Sequence, residues 1–542
     1  MLFEAAARKD NQEDHKTEEE EELLGRLQLY QEVGRREPVQ HFCEAVMHGC
    51  SKLREFWLSG YNLTAGCCKE LSRVLITNQS LVNLDMSSST LGDSGTKRLC
   101  EALRQPDCKL QSLTLKHCNI TASSCGDLSS VLCTNHNLRE LQLGGNKLGD
   151  AGLKFLCKGL KHPKCRIKSI GFAKCNLTAA CFEDLSSVLC SKQSREELDL
   201  SDNELGDRGM KLLRGALEHP NCHLQKLRLS GCRLSEACGE DLTSVLSINK
   251  TLTDLELESN NLGDFWLRLL CEGLKHPNCR LQRLGLKHCS ITVASCWHFS
   301  SVLSTNQNLR ELQLGSNYLS DAGLTFLCKG LKHPNCSLRS IGFANCNLTA
   351  ACCEDLSSVL CSKESLEELD LSGNGLGKRG MKLLCGALEH PNCHLRKLRL
   401  SQCGLKATCC ESLSSVLSTN QNLTDLELDW NKLENSGLSL LCKGLKHPNC
   451  RLQKLDLSGC SLTGACCGDL ASLLSSSQRL TDLNLYYLEM GESEARLLRE
   501  GLEHPNCKLQ NLSIRMITVT EEMHQELGAV KNTKPDLNIV LW

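Results

Sequence analysis

Leucines recur along this chain in a fixed rhythm. The string L-x-x-L-x-L-x-x-N/C-x-L appears as "LRELQLGGNKL" from Leu138 and as "LQKLRLSGCRL" from Leu224. Its seventeen copies start at 53, 81, 110, 138, 167, 195, 224, 252, 281, 309, 338, 366, 395, 423, 452, 480 and 509, so steps of 28 and 29 alternate. A few are imperfect: Ile167 and Arg195 stand at the first leucine, Phe56 and Met86 at later ones. Alternating leucines in L-x-x-L-x-L point one way from a short strand. The Asn or Cys then sits where the chain turns. A buried Asn there bonds backbone groups of the adjacent coil, and a Cys acts as a small buried hydrophobe. Helical spacing follows. In "LTAACFEDLSSVLC" Thr178 is the expected N-cap, and Cys181, Leu185, Val188 and Leu189 share a face. In "LGDAGLKFLCKGL" Asp150 is the expected N-cap, and Leu153, Leu156, Cys157 and Leu160 share a face.

Two longer periods overlie the first. His-Pro-x-Cys recurs in every second repeat, at His162–Cys165, His219–Cys222, His276–Cys279, His333–Cys336, His390–Cys393, His447–Cys450 and His504–Cys507. Its proline stops the helix and its cysteine leads into the next strand. A block six repeats long is duplicated: "LKHCNITASSCGDLSSVL" at Leu115 matches "LKHCSITVASCWHFSSVL" at Leu286. The pattern is the leucine-rich-repeat consensus. One coil of strand, turn, helix and return leaves its leucine face bare, and stacked coils bury it. The expected fold is an α/β solenoid of about 17 repeats. Strands at about 4.8 Å spacing and helices about 10 Å across bend such a stack into a horseshoe, parallel sheet inside and helices outside. Residues 1–22, with five glutamates at Glu18–Glu22, are expected to be a solvated acidic tail. Leu23, Leu24, Leu27 and Tyr30, then Val39, Phe42, Cys43 and Val46, predict a helical cap over 23–52. The repeat domain is expected over 53–542, closed by "KPDLNIVLW" as a last edge strand.

Charge excludes some functions. With 62 basic and 64 acidic residues, no global field draws the chain to nucleic acid or to an anionic membrane. No apolar run reaches the ~18 residues of a membrane span, and "MLFEAAARKDNQEDHK" has no apolar signal core. The expected location is the cytoplasm, where the 38 cysteines stay reduced. The His and Cys of "HPNC" invite a metal reading. Equivalent copies stand two coils apart, about 10 Å along the sheet, whereas zinc ligands converge at about 2.0–2.3 Å on one ion. The same spacing exceeds the ~7 Å Cα limit of a disulfide. Vicinal pairs such as Cys352–Cys353 and Cys409–Cys410 are expected on different helix faces. No metal, disulfide or cofactor is expected. The sequons at Asn62, Asn119, Asn176 and Asn347 follow from the repeat's capping Thr and are expected to stay unmodified. No nucleophile–base constellation rises above the repeat, so no enzyme is expected.

The concave face remains. Beside the strand leucines stand Glu197 and Asp199, then Lys226 and Arg228, then Asp254 and Glu256. One block later come Glu368 and Asp370, Lys397 and Arg399, Asp425 and Glu427. At strand spacing these are acidic–basic–acidic ladders. They read either as self-neutralised pairs or as a mixed-charge face that orients a protein partner. Trp57, Trp430, Tyr486 and Tyr487 occupy or flank strand positions in a chain that is only 4 % aromatic, which makes them candidate hot spots. With Asp429 beside Trp430, they direct attention to residues 425–487.

"C-x-L-T-x-x-x-C" alternating with "N-x-L-G-D-x-G" resembles the ribonuclease-inhibitor-like class of repeats. "CCEDLSSVL" (Cys352–Leu360), "STNQNLTDLEL" (Ser418–Leu428) and "GLKHPNCRLQ" (Gly273–Gln282) are similar to the repeat domain of the NLR pyrin-domain-containing family. That resemblance covers about residues 53–542 and implies a protein-binding arm in innate-immune signalling. The family's pyrin and NACHT ATPase domains are not matched here. The nearest string to a phosphate loop, "GNGLGKRG" at Gly373, has the wrong spacing and puts Arg379 at the Mg²⁺-binding hydroxyl position. Two other readings stay open: an inhibitor of pancreatic-type ribonucleases, and a fragment or isoform of a NACHT sensor.

Overall fold

A computed structural model describes residues 26–28, 53–60, 63–191, 195–515, 521–534 and 537–541. Each leucine motif forms a short strand, most often of three residues whose middle leucine is buried and whose flanking side chains are half-buried. Leu198, Leu227 and Leu398 are examples. Backbone pairing is parallel and each strand is in register with the next copy of the motif, as in Glu197↔Lys226 and Lys226↔Asp254. The leucine spacing therefore sets the hydrogen-bond register directly.

The chain divides into two compact units, Met1–Asn261 with Glu272–Leu281, and Leu262–Cys271 with Gln282–Trp542. In the first, nine strands from Arg26–Gln28 to Asp254–Glu256 pair in sequence order. In the second, ten strands run from Arg283–Gly285 to Asn538–Leu541 in the same way. Each is a leucine-rich-repeat solenoid, as the leucine spacing predicts. Helices of two kinds alternate between the strands. A 3₁₀ turn capped by Ser or Thr leads into a short α-helix, as at Ala179–Cys181 and Phe182–Leu189. A longer helix such as Gly149–Leu160 belongs to the alternate repeats. The faces expected from spacing are the buried ones: Cys181, Leu185, Val188 and Leu189 in one kind, Leu153, Leu156, Cys157 and Leu160 in the other. Burying each such side chain stabilises by roughly 1.5–3 kcal/mol.

Three expectations change. Arg26–Gln28, expected in a helix, is a strand paired in parallel with Glu55–Trp57. The open backbone edge of the first repeat offers hydrogen bonds that outweigh a weak helical propensity. Asp150 does not cap its own helix, whose N-cap is Leu148. Its carboxylate accepts instead from the N–H (2.8 Å) and Oγ1 (2.7 Å) of Thr178, the N-cap of the next coil. Three vicinal pairs do not split between faces: Cys352 with Cys353, Cys409 with Cys410, and Cys466 with Cys467 are all buried, whereas Cys67 is half-exposed beside buried Cys68. In each of those three the first residue ends a 3₁₀ turn and the second begins an α-helix, and the change of pitch turns both inward. The acidic tail over 1–22 and the rest of the cap over 23–52 lie outside the described residues.

Candidate functional site

Internal polar groups decide which side chains are free to meet a partner. The turn Asn is a backbone clamp. Asn203 Nδ2 donates to Phe172 O and Leu200 O at 2.8 Å, and its Oδ1 accepts from the N–H of Cys175 (3.0 Å) and Leu177 (2.9 Å). The His of "HPNC" is a turn group: His276 Nδ1 accepts from Asn278 N–H at 3.2 Å, and His390 Nδ1 from Asn392 N–H at the same distance. Among the described residues no group of three or more His, Cys, Asp or Glu is arranged to hold a metal ion. No described helix is long and apolar enough to cross a membrane.

The ion-pair ladders form within the sheet. Arg228 meets Glu197 through Nη1 and Glu256 Oε1 through Nε at 3.1 Å. Burial alone would lower the Arg228 guanidinium's pKa, but the two carboxylates raise it. Burial also works against the Glu197 carboxylate, yet its bond to Arg228 holds its pKa below the usual range. Burial raises Glu256, and Arg228 offsets this only in part. Arg228 therefore serves Glu197 first. In the second unit, Lys397 Nζ (2.8 Å) and Arg399 Nε (3.2 Å) converge on Glu427. Such half-exposed pairs contribute about 0–1 kcal/mol each. Lys226 stands in register with Asp254, which is only 8 % exposed rather than facing solvent as expected, and which accepts from Thr253 Oγ1. Asp425 is held in the same way by Thr424 Oγ1 at 2.7 Å.

The aromatic candidates separate. Trp57 is half-buried in the first unit, in register with Gln28 and Asp85. Trp430, Tyr486 and Tyr487 come together in the second. Trp430 is 52 % exposed, its ring centroid 5.2 Å from that of Tyr487, and Tyr486 meets Tyr487 edge-on at 4.7 Å. Asp429 lies beside them, half-buried, accepting from Ser401 Oγ. Burial raises its pKa, and Asp456 and Glu427 raise it further.

A "Leucine Rich repeat" model matches residues 134–157, 196–213, 249–264, 305–328, 362–385 and 419–442, and a second model of the same description matches 451–473. The chain is 39 % identical to the ribonuclease inhibitor of Sus scrofa over 459 residues, covering 85 % of this chain and 100 % of that protein. The chain belongs to the ribonuclease-inhibitor family of leucine-rich-repeat proteins. It is also 47 % identical to the human NACHT, LRR and PYD domains-containing protein 12 over 357 residues, 66 % of this chain and 34 % of that protein. Human protein 14 of the same name matches at 43 % over 72 % of this chain and 36 % of its own length. The chain thus spans all of the pig inhibitor and about a third of the two NACHT, LRR and PYD proteins.

Some features of this family member escape a reading of its leucines. Trp297, 55 % exposed on the helix Cys296–Thr305 and stacked on His298 at 3.6 Å, stands where the duplicated block has Gly126. A polar cleft of about 430 Å³ is lined by Arg310, Arg339, Ser362, Lys363 and Glu364. It opens where Lys363 replaces the Asn found at 306 and 420. Comparing the two copies of the block position by position would have flagged Trp297; Lys363 matches Lys192 of the first copy and stands out only against Asn306 and Asn420, two repeats away on either side.

Proposed function

We propose that the chain is a non-catalytic scaffold that binds another protein through the strand face of residues 425–487, in cytosolic innate-immune signalling or its regulation. One observation carries the docking site: the exposed Trp430–Tyr487 contact on a strand face whose basic ladder residues Lys397 and Arg399 are already paired internally. Exposed aromatics beside a polar rim are the usual anchors of a protein interface. The signalling role rests on the likeness to the NACHT, LRR and PYD proteins. Capture from cytosol by the wild-type chain, compared with a Trp430→Ala/Tyr486→Ala double variant, tests the site. Loss of specific partners is expected; an unchanged set removes the site from consideration.

A second reading, inhibition of a pancreatic-type ribonuclease, is favoured by the end-to-end match to the pig inhibitor. A basic enzyme calls for an acidic surface, and here the acidic strands Glu197–Asp199 and Asp254–Glu256 are separated by Lys226–Arg228. Inhibition of a pancreatic ribonuclease at nanomolar chain would establish this reading, and full enzyme activity at micromolar chain would eliminate it.

A further inference from the structure

Left-handed backbone recurs at a fixed position of the repeat, besides further positions such as Asn119, Arg233 and Glu434. The fixed position lies seven positions after the first leucine, and in the sixteen repeats from Leu53 to Leu480 its φ falls between 52° and 82°. Glycine and short polar residues tolerate that region, whereas a bulky side chain there is strained by roughly 1–2 kcal/mol. Fourteen of the sixteen positions hold Gly, Ser, Asn, Asp, His, Lys or Gln. The other two are Trp430 (φ 56°) and Tyr487 (φ 70°). Strained positions persist where the surroundings hold them, and they concentrate at binding sites.

The two aromatics flank Gly459, the glycine that fills the same position in the repeat between them. A methyl group on Gly459 would come within 2.8 Å of Trp430 Cε3, so one face of the indole lies on the glycine backbone. With half its surface exposed, Trp430 presents its other face outward. Tyr487 closes one side, and the residue just before Trp430 in the chain is Asp429, half-buried, whose carboxylate accepts from Ser401 Oγ. Among the described ion pairs Asp429 has no basic partner, and burial together with the charges of Asp456 and Glu427 raises its pKa. The strand face here carries Asp425, Glu427, Asp429, Asp456 and Asp482 against Lys454.

The duplicated block supplies an internal comparison. With the copy at Leu286 aligned on the copy at Leu115, Arg399, Ser401, Glu427 and Asp429 correspond to Arg228, Ser230, Glu256 and Glu258, so the supporting frame is kept in kind. Trp430, Asp456, Tyr486 and Tyr487 correspond to Ser259, Gly285, Gly315 and Ser316. The second copy thus carries Trp430 and Asp456 where the first has Ser259 and Gly285, while Tyr486 and Tyr487 lie past its end, six repeats after Gly315 and Ser316.

We propose that Trp430, Tyr487 and Asp429 form a socket for an arginine side chain of the docked protein, its guanidinium stacked on the outer face of Trp430 and hydrogen-bonded to Asp429. This rests on the reading of residues 425–487 as a docking face. Arginine fits better than lysine because its planar, weakly hydrated cation can both stack on an indole and share two N–H groups with one carboxylate. Burial of Asp429 strengthens the pair, since the incoming cation meets a carboxylate with no competing basic partner.

Fluorescence anisotropy with labelled hexa-arginine, hexa-lysine and hexa-glutamate on the full chain tests the socket. Hexa-arginine is expected to bind more tightly than hexa-lysine, and hexa-glutamate not to bind. Trp430→Ser installs the residue of the sister copy and relieves the backbone strain, so its fold is expected to survive, as circular dichroism would check. Trp430→Ser and Asp429→Asn should each weaken hexa-arginine roughly tenfold, while Trp297→Ala leaves it unchanged. Equal binding of the two cationic peptides, or hexa-arginine binding untouched by Trp430→Ser and Asp429→Asn, would overturn the socket. If partner capture is lost in the Trp430→Ala/Tyr486→Ala variant while hexa-arginine ignores Trp430→Ser, the docking face stands and the socket falls. If hexa-arginine responds but capture does not, Trp430 and Asp429 bind arginine but the docking face falls, and with it the socket's role in docking.

Discussion

Asn203 and Arg195 show how much one residue decides inside a repeat. Asn203 is buried and satisfies two backbone N–H groups of the neighbouring coil. Asn203→Ala leaves those donors unmet, at about 1–3 kcal/mol per group. A fall in the urea unfolding midpoint is expected, and an unchanged midpoint would contradict the clamp. Arg195 occupies a leucine position and is 4 % exposed. Its guanidinium donates to Ile167 O and Leu160 O, with Cys165 Sγ at 3.6 Å. Burial lowers its pKa, which marks a charge held at a desolvation penalty. Arg195→Leu restores the repeat and is expected to raise the thermal midpoint, by about 1–2 kcal/mol of stability. A lower midpoint would mean the carbonyl bonds outweigh that penalty.

At the scale of elements, the Asp of one helix pins the cap of the next. Asp207 accepts from Ser235 N–H (2.8 Å) and Oγ (2.6 Å), and Asp321 from Thr349 N–H (2.8 Å) and Oγ1 (2.6 Å). Lys378 and Lys406 stand at these places in one repeat, and Lys406 makes no side-chain cap. Asp207→Ala is expected to destabilise by about 1–2 kcal/mol and to raise amide exchange over Gly239–Ile248 before other helices. The same clamp sets an acid limit. Burial would raise Asp93, but hydrogen bonds from Ser123, Ser124 and Thr121 outweigh it and pull its pKa to about 2. Its folded value is depressed, so its stabilisation is complete above the unfolded value near 4 and is lost as pH falls toward 2. Asp93→Asn should lower stability at neutral pH and flatten the stability–pH curve between those values. An unchanged acid limb would assign the transition to other carboxylates.

Across the whole molecule, the cysteines act as packing atoms. Burial pushes Cys157, Cys328 and Cys442 up to about 12. Folded values raised above the unfolded ~8.5 stabilise below that pH, and the contribution is lost as pH climbs toward 12. Alkaline unfolding should therefore begin above about pH 8.5. Among the described cysteines, Cys67, Cys133, Cys190 and Cys361 are half-exposed, and these are expected to react first with a thiol reagent while the rest wait for denaturant. Exhaustive oxidation should abolish the far-ultraviolet dichroism and partner capture together, because a forced bridge disrupts close packing. Full dichroism after oxidation would refute this.

Spacing was enough to read the strands, their register, both helix types and the buried faces. Each repeat packs only on its neighbours, so local periodicity is the tertiary pattern. The same periodicity hid what depends on two coils at once. Asp150 reads as a cap for its own helix, and only the neighbouring Thr178 shows which helix end it serves. Arg228 and Glu197 read as an exposed ladder, and their pairing leaves little charge free for a partner. Trp430 and Tyr487 stand two repeats apart in sequence and read as separate exposed aromatics. Their contact over Gly459 arises because stacking places the left-handed positions of successive repeats along one row.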